Sequence, residues 1–490
     1  MKILKGLERS KEFWLVIVAL LLFFVLRFPS LFEPLWYGDE GIYQAIGISL
    51  DKGKLLYTEA FDNKPPLLYW TYSFFNSDQF MLRLASLIAG ALSVMFFFFL
   101  SKDLFKNNKN NIHIIATFIF AILFGLPLLE GNIANAENFM LLPIISAAYL
   151  VFANIQHTKS KLIINHLLLI ISGILLGIAF LFKIVAIFDL AAFIIFYFTI
   201  NFKSLKKEIK KILSIIYGFF LPILMASIFF LTNGTFLEFI RAAFITNVSY
   251  ISYGNKIGDF PLLIFVKLII LGIVLLYLFI KRKKHTATFI FIIIWLAFSM
   301  FNAFFSQRPY THYLLVLLPS LSLTIGLVLF DKKNQKIIGI LLLIAAIVIF
   351  KNFNVSNYKK NVLYYQNFIN YMRGEKTTVS YQSFFDRNTP IDYEIARYIK
   401  PKLGKNDTIF VWGNNAQLYK LVNATPPTKY VVAYHIANYK DGLIKTKSSI
   451  EKIKPKFIIV MPNTQPIPFS LVGYFIKISI DKVAIYERTF

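Results

Sequence analysis

Long apolar runs separated by short polar connectors dominate the first 350 residues of the chain. The runs at 14–26, 163–182 and 337–350 contain no Asp, Glu, Lys or Arg. Apolar runs of about 20 residues can cross the hydrocarbon core of a bilayer as helices, because a helix satisfies its own backbone hydrogen bonds. We therefore predict about eleven membrane-spanning helices. They fall near residues 13–31, 80–101, 112–129, 138–155, 163–182, 184–200, 212–232, 261–280, 286–304, 314–330 and 337–351.

The connectors between these runs alternate in their content of Lys and Arg. Because positively charged connectors stay on the cytoplasmic side, the alternation predicts a cytoplasmic N-terminus and places the segment after the last span outside. The basic connectors are the N-terminal residues and those that contain Lys102, Lys159, Lys203, Lys281 and Lys332. The connectors that carry few cations are 32–79, 130–137, 233–260 and 305–313.

The pattern changes after Lys351, where the long apolar runs end. Strand-like runs then alternate with helix-like ones, and Thr389-Pro390 is typical of a helix start. Such alternation favours a small α/β domain. We therefore predict a transmembrane domain over residues 1–351 and an extracytoplasmic α/β domain over 352–490. The predicted strands cover 408–412, 429–433, 456–461 and 483–487.

Composition agrees with a membrane protein, since 57% of the residues are hydrophobic and only 16% are charged. A soluble chain of this length needs more polar surface. The formal net charge of +26 does not indicate nucleic-acid binding, because the Lys residues lie mainly in the connectors and form no basic face with interleaved aromatics. The absence of Cys excludes disulfides, thiolate catalysis and Cys-ligated metals.

The loop 32–79 carries the most informative residues. A carboxylate of Asp39 or Glu40, just beyond the first span, can accept a proton from an incoming hydroxyl or amine, or the pair is simply solvated. Lys64 precedes two prolines that fix its approach to the next helix, and it can hold a phosphate. The aromatic residues of the loop either stack on a sugar or belong to the interfacial belt. They include Trp36, Tyr37, Tyr43, Trp70 and Tyr72.

The order of elements in this loop resembles the first outer loop of GT-C superfamily membrane glycosyltransferases. The resemblance is to the bacterial relatives of protein O-mannosyltransferases and of the aminoarabinose transferases that act on lipid A (glycosyltransferase family 39). The matching elements are Arg27, Asp39-Glu40, Tyr43, Gly53, Tyr57 and Lys64-Pro65-Pro66. The resemblance implies a GT-C fold, a catalytic base at Asp39 that acts on the acceptor, and a sugar donor linked to a polyprenyl phosphate.

Further matches extend the resemblance over most of residues 13–330. Each also has a simpler explanation: Arg83 as a helix-end cation, Glu137 as a favourable charge at a helix N-terminus and His312 as a local hydrogen-bonding residue. Asp189 lies within a span, where a charge is a functional candidate or a partner for a cation such as Lys183.

The resemblance and the loop chemistry together assign three groups of residues. The catalytic residues are Asp39, Glu40 and Glu137; the cations for the lipid phosphate of the donor are Arg27, Lys64, Arg83, Lys183 and Arg308; and the residues of the substrate pocket are Trp36, Tyr37, Tyr43, Tyr57, His312 and Tyr313.

We therefore expect an enzyme of the plasma (inner) membrane that moves a sugar from a polyprenyl-phosphate donor to an acceptor at the outer face, with inversion. The acceptor is a lipid, a polysaccharide or a protein, and the C-terminal domain either recognises it or acts as a stabilising lid. We expect no cofactor and no metal, although the three candidate carboxylates have the chemistry to bind a divalent cation. The main alternative is a transporter or flippase for a polyprenyl-linked glycan, which would place ionisable residues near the bilayer midplane and show repeat symmetry.

The charge alternation makes a testable prediction about topology. A reporter fused at Asn334 should lie in the cytoplasm, and one fused at Phe490 should lie outside, because an odd number of spans separates the N-terminus from the C-terminal segment. Reporters that indicate the same side for both positions would contradict the predicted topology.

Overall fold

The computed structural model of the chain describes residues 11–106, 111–156, 162–200, 202, 205–247, 260–305, 310–352, 358–462 and 464–489. Helices make up most of these residues. In chain order they are α1 (Lys11–Arg27), α2 (Gly38–Asp51), α3 (Pro66–Phe74), α4 (Gln79–Leu104), α5 (Ile112–Gly125), α6 (Ala136–Gln156), α7 (Leu162–Phe182), α8 (Ile187–Ile200), α9 (Leu205–Thr232), α10 (Phe236–Ile240), α11 (Phe260–Lys281), α12 (Ala287–Phe305), α13 (Leu318–Phe330), α14 (Gln335–Asn352), α15 (Tyr358–Met372), α16 (Thr378–Ser383), α17 (Thr389–Ile399), α18 (Gln417–Val422), α19 (Ala433–Asn438) and α20 (Gly442–Ile453).

Apolar helices occupy the positions of the predicted spans. Within the described ranges, eight helical segments are long and apolar enough to cross a membrane. They are Lys11–Phe32, Gln79–Leu104, Ala136–Ile155, Ile164–Phe182, Glu208–Thr232, Ile264–Lys281, Ala287–Phe305 and Thr311–Phe330. Three shorter apolar helices, Ile112–Gly125, Ile184–Ile200 and Gln335–Ile349, coincide with the three remaining predicted spans. The predicted class, an α-helical polytopic membrane protein, is confirmed.

The chain forms two compact units, and the domain boundary predicted at residue 351 stays a prediction. Unit 1 comprises Met1–Phe28, Ala85–Ile228 and Val248–Val362, and unit 2 comprises Pro29–Leu84, Phe229–Asn247 and Leu363–Phe490. The first outer loop thus belongs to the same unit as the C-terminal residues. Hydrogen bonds explain this grouping: the amide of Phe61 donates to the carbonyl of Lys429 at 3.0 Å, and Nζ of Lys54 donates to the carbonyl of Pro426 at 2.6 Å.

Unit 2 contains a mixed four-stranded sheet, so the C-terminal part has the predicted α/β character. Its strands are β1 (Ile409–Trp412), β2 (Phe457–Val460), β3 (Tyr474–Ile480) and β4 (Val483–Arg488). The strand order is β1-β2-β4-β3; β1 and β2 are parallel, and β4 is antiparallel to both of its neighbours. A long connection that contains α18, α19 and α20 joins the parallel strands, as parallel pairing requires.

One predicted strand is wrong and another was missed. The residues 429–433 form no strand, because their backbone pairs with loops: Lys429 accepts from Phe61, and the amide of Ala433 donates to the carbonyl of Gly413 at 2.8 Å. Ala433 then begins α19. The missed strand, β3, alternates apolar and polar residues only weakly and is exposed along most of its length.

Two membrane helices of unit 1, α7 and α9, approach so closely that only glycine fits between their backbones. A Cβ atom added to Gly173 would lie 2.1 Å from the carbonyl oxygen of Ile215, and one added to Gly218 would lie 2.1 Å from that of Ile170. Gly177, one turn further along α7, is similarly enclosed by the backbone of α9. Small residues allow such contacts in lipid, where burial of apolar surface does not drive helices together.

This crossing predicts a position-specific effect on stability. Gly173→Leu should lower the free energy of unfolding by about 1–3 kcal/mol, the usual effect of overpacking. The reason is that the added side chain meets backbone atoms and not a side chain that can move. The matched control is Gly272→Leu in α11, where an added Cβ meets no atom within 4 Å. Thermal unfolding of both variants in detergent measures the difference, and equal midpoints would contradict the crossing.

Candidate active site

Asp39 and Glu40 lie in the first turn of α2, where the positive end of the helix dipole favours carboxylates. Consecutive residues of an α-helix point about 100° apart, so the two side chains face different surroundings. The side chain of Asp39 is 37% exposed, whereas that of Glu40 is 5% exposed. The helix therefore presents one carboxylate to the surface and buries the other.

Glu40 is held by a fully buried arginine. Nε of Arg83 donates to Oε1 of Glu40 at 2.6 Å, and Nη2 donates to Oε2 at 2.5 Å. Nη1 of Arg83 lies 3.1 Å from Oε2 of Glu33. The same carboxylate accepts a hydrogen bond from Tyr364 at Oε1 and one from Trp36 at Oε2. Removing charged groups from water is costly unless they are paired in good geometry, and this network supplies that pairing.

This network bears on two predictions from the sequence. Both oxygens of Glu40 accept from Arg83, which conflicts with a role for Glu40 as the base. Arg83 is 0% exposed, which conflicts with its contacting the phosphate of a lipid. Glu33 was not singled out in the sequence, and its position one residue before Pro34 gave no sign of its role.

Lys64 lies between two carboxylates of the first outer loop. Its Nζ is 3.8 Å from Oδ2 of Asp39 and 3.5 Å from Oδ2 of Asp62. Tyr43 completes the group, because its hydroxyl donates to Oδ2 of Asp39 at 3.1 Å and its ring centroid lies 4.8 Å from Nζ of Lys64. Tyr43 is fully buried, so it positions Asp39 and Lys64 instead of lining an open pocket.

Asp62 is a member of this cluster that the sequence analysis missed. Burial by itself would raise the pKa of its carboxyl, but Lys64, the amide of Asn63 and the hydroxyl of Tyr69 together lower that pKa below its usual value. The hydroxyl of Tyr69 donates to Oδ2 of Asp62 at 2.8 Å. Asp62 is therefore a carboxylate at neutral pH, and its position two residues before Lys64 was the available signal.

Two buried tyrosines fix the backbone of Lys64. The hydroxyl of Tyr57 donates to the carbonyl of Lys64 at 2.8 Å, and the amide of Lys64 donates to the hydroxyl of Tyr69 at 3.1 Å. Burial raises the pKa of both hydroxyls well above the usual value, so both stay protonated. Tyr57 also has a φ of +67°, a conformation that bulky residues rarely adopt. The sequence analysis assigned Tyr57 to the substrate pocket; in the structure its hydroxyl supports the backbone of the loop.

The C-terminal residues of unit 2 contribute a histidine to the same cluster. Nε2 of His435 lies 3.8 Å from Oδ1 of Asp62, and its ring packs edge-on against Phe61. Burial lowers the pKa of His435 to about 4, against the opposing effect of Asp62. The imidazole is therefore neutral at physiological pH and adds no positive charge to the cluster.

The C-terminal residues also pack directly on α2. A Cβ atom added to Gly41 would lie 2.6 Å from the backbone nitrogen of Gln417, so α18 reaches the first turn of α2 at this glycine. Nε2 of Gln417 donates to Oδ2 of Asp392 at 2.7 Å, and Asn415 donates to the same carboxyl. Burial raises the pKa of Asp392 to about 7. These contacts fix the turn that carries Asp39.

A second charged cluster lies in unit 1 around Glu137, in the first turn of α6. Lys183 forms an ion pair with Oε1 of Glu137, and Nε2 of His312 lies 3.8 Å from the same oxygen. Nδ1 of His312 is hydrogen-bonded to Oε2 of Glu130 at 2.8 Å. Nζ of Lys183 lies 4.3 Å from the ring centroid of Tyr313. Glu130 was not singled out from the sequence. In the structure its backbone has a φ of +59°, which is unusual for a residue other than glycine.

The remaining predicted residues have varied surroundings. Arg27 is fully buried, and its Nη2 donates to the hydroxyl of Ser86 at 3.2 Å. Trp36 and Tyr37 are partly exposed just before Asp39. Arg308 lies outside the described residues. Asp189 pairs with Trp295, whose Nε1 donates to Oδ1 at 2.8 Å, and no contact with Lys183 is seen among the described residues.

Comparisons with known proteins agree with this geometry. Residues 63–229 match the family model described as dolichyl-phosphate-mannose-protein mannosyltransferase. The fold is similar to the crystal structure of ArnT from Cupriavidus metallidurans bound to undecaprenyl phosphate, with a TM-score of 0.55 and 14% identity over 97% of this chain and 98% of that chain. The chain is a membrane glycosyltransferase with the GT-C fold.

Other solved structures resemble this glycosyltransferase less. The Archaeoglobus fulgidus oligosaccharyltransferase in complex with Zn and sulfate gives a TM-score of 0.47 and 12% identity, over 91% of this chain and 67% of that chain. The same enzyme in complex with an inhibitory peptide and a dolichol-phosphate gives a TM-score of 0.46 and 10% identity, over 92% and 69%. No curated protein matches the chain by sequence.

The glycosyltransferase shows no group of three or more His, Asp or Glu side chains arranged to share a metal ion, within the ranges that the structure describes. The expectation that no metal is required stays a prediction.

The arginine network predicts that replacing Arg83 lowers the stability of the protein more than it weakens substrate binding. Arg83→Met should lower the free energy of unfolding by about 3–5 kcal/mol, because it leaves buried carboxylates without their partner. The control is Lys102→Met, which breaks the ion pair between Lys102 and Glu12. Because these side chains are 49% and 37% exposed, the variant should lower the free energy of unfolding by less than about 1 kcal/mol. Thermal unfolding in detergent measures both. A stable Arg83→Met variant with weakened donor binding would instead support the phosphate contact.

Proposed function

We propose that this glycosyltransferase transfers a sugar from a polyprenyl-phosphate donor to an acceptor at the outer face of the membrane, with Asp39 as the base. The observation that carries the proposal is the exposure of Asp39: its side chain is 37% exposed, in a hydrogen-bonded cluster whose other carboxylate, Asp62, is buried and which also contains Lys64. The matched family's name specifies a dolichyl-phosphate donor, and the similar ArnT structure holds undecaprenyl phosphate. Both support a polyprenyl-phosphate donor here.

The proposed reaction is a single displacement. The acceptor oxygen or nitrogen attacks the anomeric carbon while Asp39 takes its proton. The bond between the anomeric carbon and the phosphate oxygen breaks, and the polyprenyl phosphate leaves with the electron pair. Attack opposite to the leaving group inverts the anomeric carbon.

The charges around Lys64 connect the two halves of this reaction. With His435 neutral, Asp39 and Asp62 carry two negative charges against the single positive charge of Lys64. When Asp39 takes the proton of the acceptor, its negative charge disappears and Lys64 loses one of its two partners. The lysine is then better able to stabilise the negative charge that develops on the leaving phosphate. Asp62 remains to hold the amine in place.

We assign different roles to two other cations that the sequence suggested for the phosphate. Arg308 stays a candidate for binding the donor phosphate at the outer membrane surface. Lys183 is paired with Glu137 and covered by the ring of Tyr313, so we assign it to holding Glu137 in place. Glu137 retains one buried oxygen, Oε2, without a hydrogen-bond partner in the described residues, which keeps it a candidate for a substrate contact.

We also propose the finer location of the enzyme. The alternation of basic connectors supports a cytoplasmic N-terminus and places the loop 32–79 and the C-terminal residues on the outer side. Because unit 2 contains both of these segments, their common side is consistent with the packing. The assignment to the plasma (inner) membrane rests on the resemblance of the first outer loop to that of bacterial membrane glycosyltransferases.

The sharpest prediction concerns Asp39. Asp39→Asn should reduce transfer about 10²–10⁴-fold, the usual contribution of a general base, while the protein stays folded and binds donor. Asn keeps the shape of the side chain and its contact with Tyr43 but accepts no proton. Transfer rates in nanodiscs, together with donor titration, separate the chemical step from binding.

The control is Asp51→Asn, which changes an exposed carboxylate of the same helix and should leave transfer unchanged. Glu40→Gln should lower thermal stability, because it weakens the pair with Arg83. If Glu40→Gln is inactive but stable and Asp39→Asn is active, then Glu40 is the base and Asp39 is not. Wild-type transfer by both would refute the catalytic role of this loop.

A further inference from the structure

The helix α15 carries an apolar stripe in which Ile369 and Met372 are exposed and Tyr365 is half-buried against the ring of Tyr364. Tyr365, Ile369 and Met372 share one face of this helix, at the spacing i, i+4 and i+7 that aligns side chains along a helix. Ile369 is 45% exposed and Met372 is 58% exposed. Gln366 and Arg373, also exposed, border the stripe on one side. The helix is therefore amphipathic on its outward surface.

The other side of α15 is fixed to the protein. Tyr364 donates to Oε1 of Glu33 at 2.6 Å, and Tyr371 stacks on Tyr381 with ring centroids 4.1 Å apart. Asn367 donates to the carbonyl of Tyr381 at 3.3 Å. These contacts use the buried face of α15 and leave Ile369 and Met372 on its outward side.

The surroundings of the stripe indicate which partner it contacts. Phe368, beside the stripe, packs against Phe32 with ring centroids 5.7 Å apart, and Phe32 packs against Phe80 at 6.4 Å. Phe32 is the last residue of the first candidate membrane span, and Phe80 lies at the beginning of the second. Both rings are about two-fifths exposed, at 40% and 42%. The apolar stripe is thus continuous with the ends of two membrane-spanning helices.

We infer that α15 is an interfacial helix, with Tyr365, Ile369 and Met372 inserted into the headgroup region of the bilayer. An amphipathic helix in this position buries its apolar face about 5–10 Å into the boundary between headgroups and acyl chains. Tyrosine favours the same depth, where its ring is apolar and its hydroxyl is wet.

The inference gives the bilayer a direct mechanical connection to the catalytic loop. From the membrane-facing stripe, α15 reaches Glu33 through Tyr364, and Glu33 binds Arg83, which holds Glu40 in α2. Asp39 is the neighbour of Glu40 on that helix. The height of Asp39 is therefore set relative to the headgroup level, which is where the phosphate of a lipid-linked substrate lies.

The absence of Cys in the chain allows a direct test by site-specific labelling. Ile369→Cys and, separately, Met372→Cys are labelled with an environment-sensitive fluorophore, and the protein is reconstituted into vesicles of phosphatidylcholine and phosphatidylglycerol. The matched control is Ile444→Cys, an isoleucine of α20 that is 74% exposed. Some vesicles carry lipids with a nitroxide near the glycerol end of one acyl chain.

The label at residues 369 and 372 should emit at short wavelength and be quenched by the nitroxide lipid several-fold more than the label at residue 444. Water-like emission without quenching at both stripe positions would overturn the inference, because the stripe would then be solvated. Short-wavelength emission without quenching would also overturn it, since protein, such as a second copy of the chain, would then cover the stripe. Neither readout depends on transfer activity, so the proposed function is tested separately.

Discussion

The buried guanidinium of Arg83 is the constraint on which the catalytic loop depends. A positive charge without water needs carboxylates in bidentate or near-bidentate geometry, and Glu40 and Glu33 provide them. Because Glu40 is fixed in this way, the rotation of α2 about its axis is fixed as well. The rotation leaves Asp39 on the accessible side. Burial of one charge thus selects which carboxylate of an adjacent pair is open to substrate.

The C-terminal residues and the first outer loop are parts of one structural unit. Gly41 permits α18 to approach α2, the backbone at Lys429 pairs with Phe61, and His435 reaches Asp62. This packing supports a stabilising role for the C-terminal part, one of the two alternatives that its sequence left open. The contacts hold the backbone of the first outer loop, and surface loops without such contacts are usually the more mobile parts of a protein. A recognition role for the exposed surface of the same residues is compatible with it.

Both charged clusters follow one electrostatic principle with different outcomes. In unit 2 a lysine lies between two carboxylates, one buried and one accessible. In unit 1 Lys183 and His312 surround the buried Glu137, and His312 connects to Glu130. Each cluster keeps its charges paired in a medium of low dielectric constant, where an unpaired charge is costly. Asp39 is the most exposed carboxylate of the two clusters, at 37% against 24% for Glu130, and this difference supports its proposed role.

The sequence by itself determined the membrane class, the positions of the spans and the loop that carries Asp39 and Lys64. These features depend on local properties: hydropathy over about 20 residues, charge in the connectors, and a motif within one segment. Tertiary structure decided which residues share an environment. The pairs Arg83–Glu33, Lys64–Asp39 and Lys183–Glu137 depend on how elements pack, and a sequence shows neither burial nor the side of a helix that faces a partner across space. His435, almost 400 residues from Asp39, belongs to the cluster only because folding brings the C-terminal residues onto the loop.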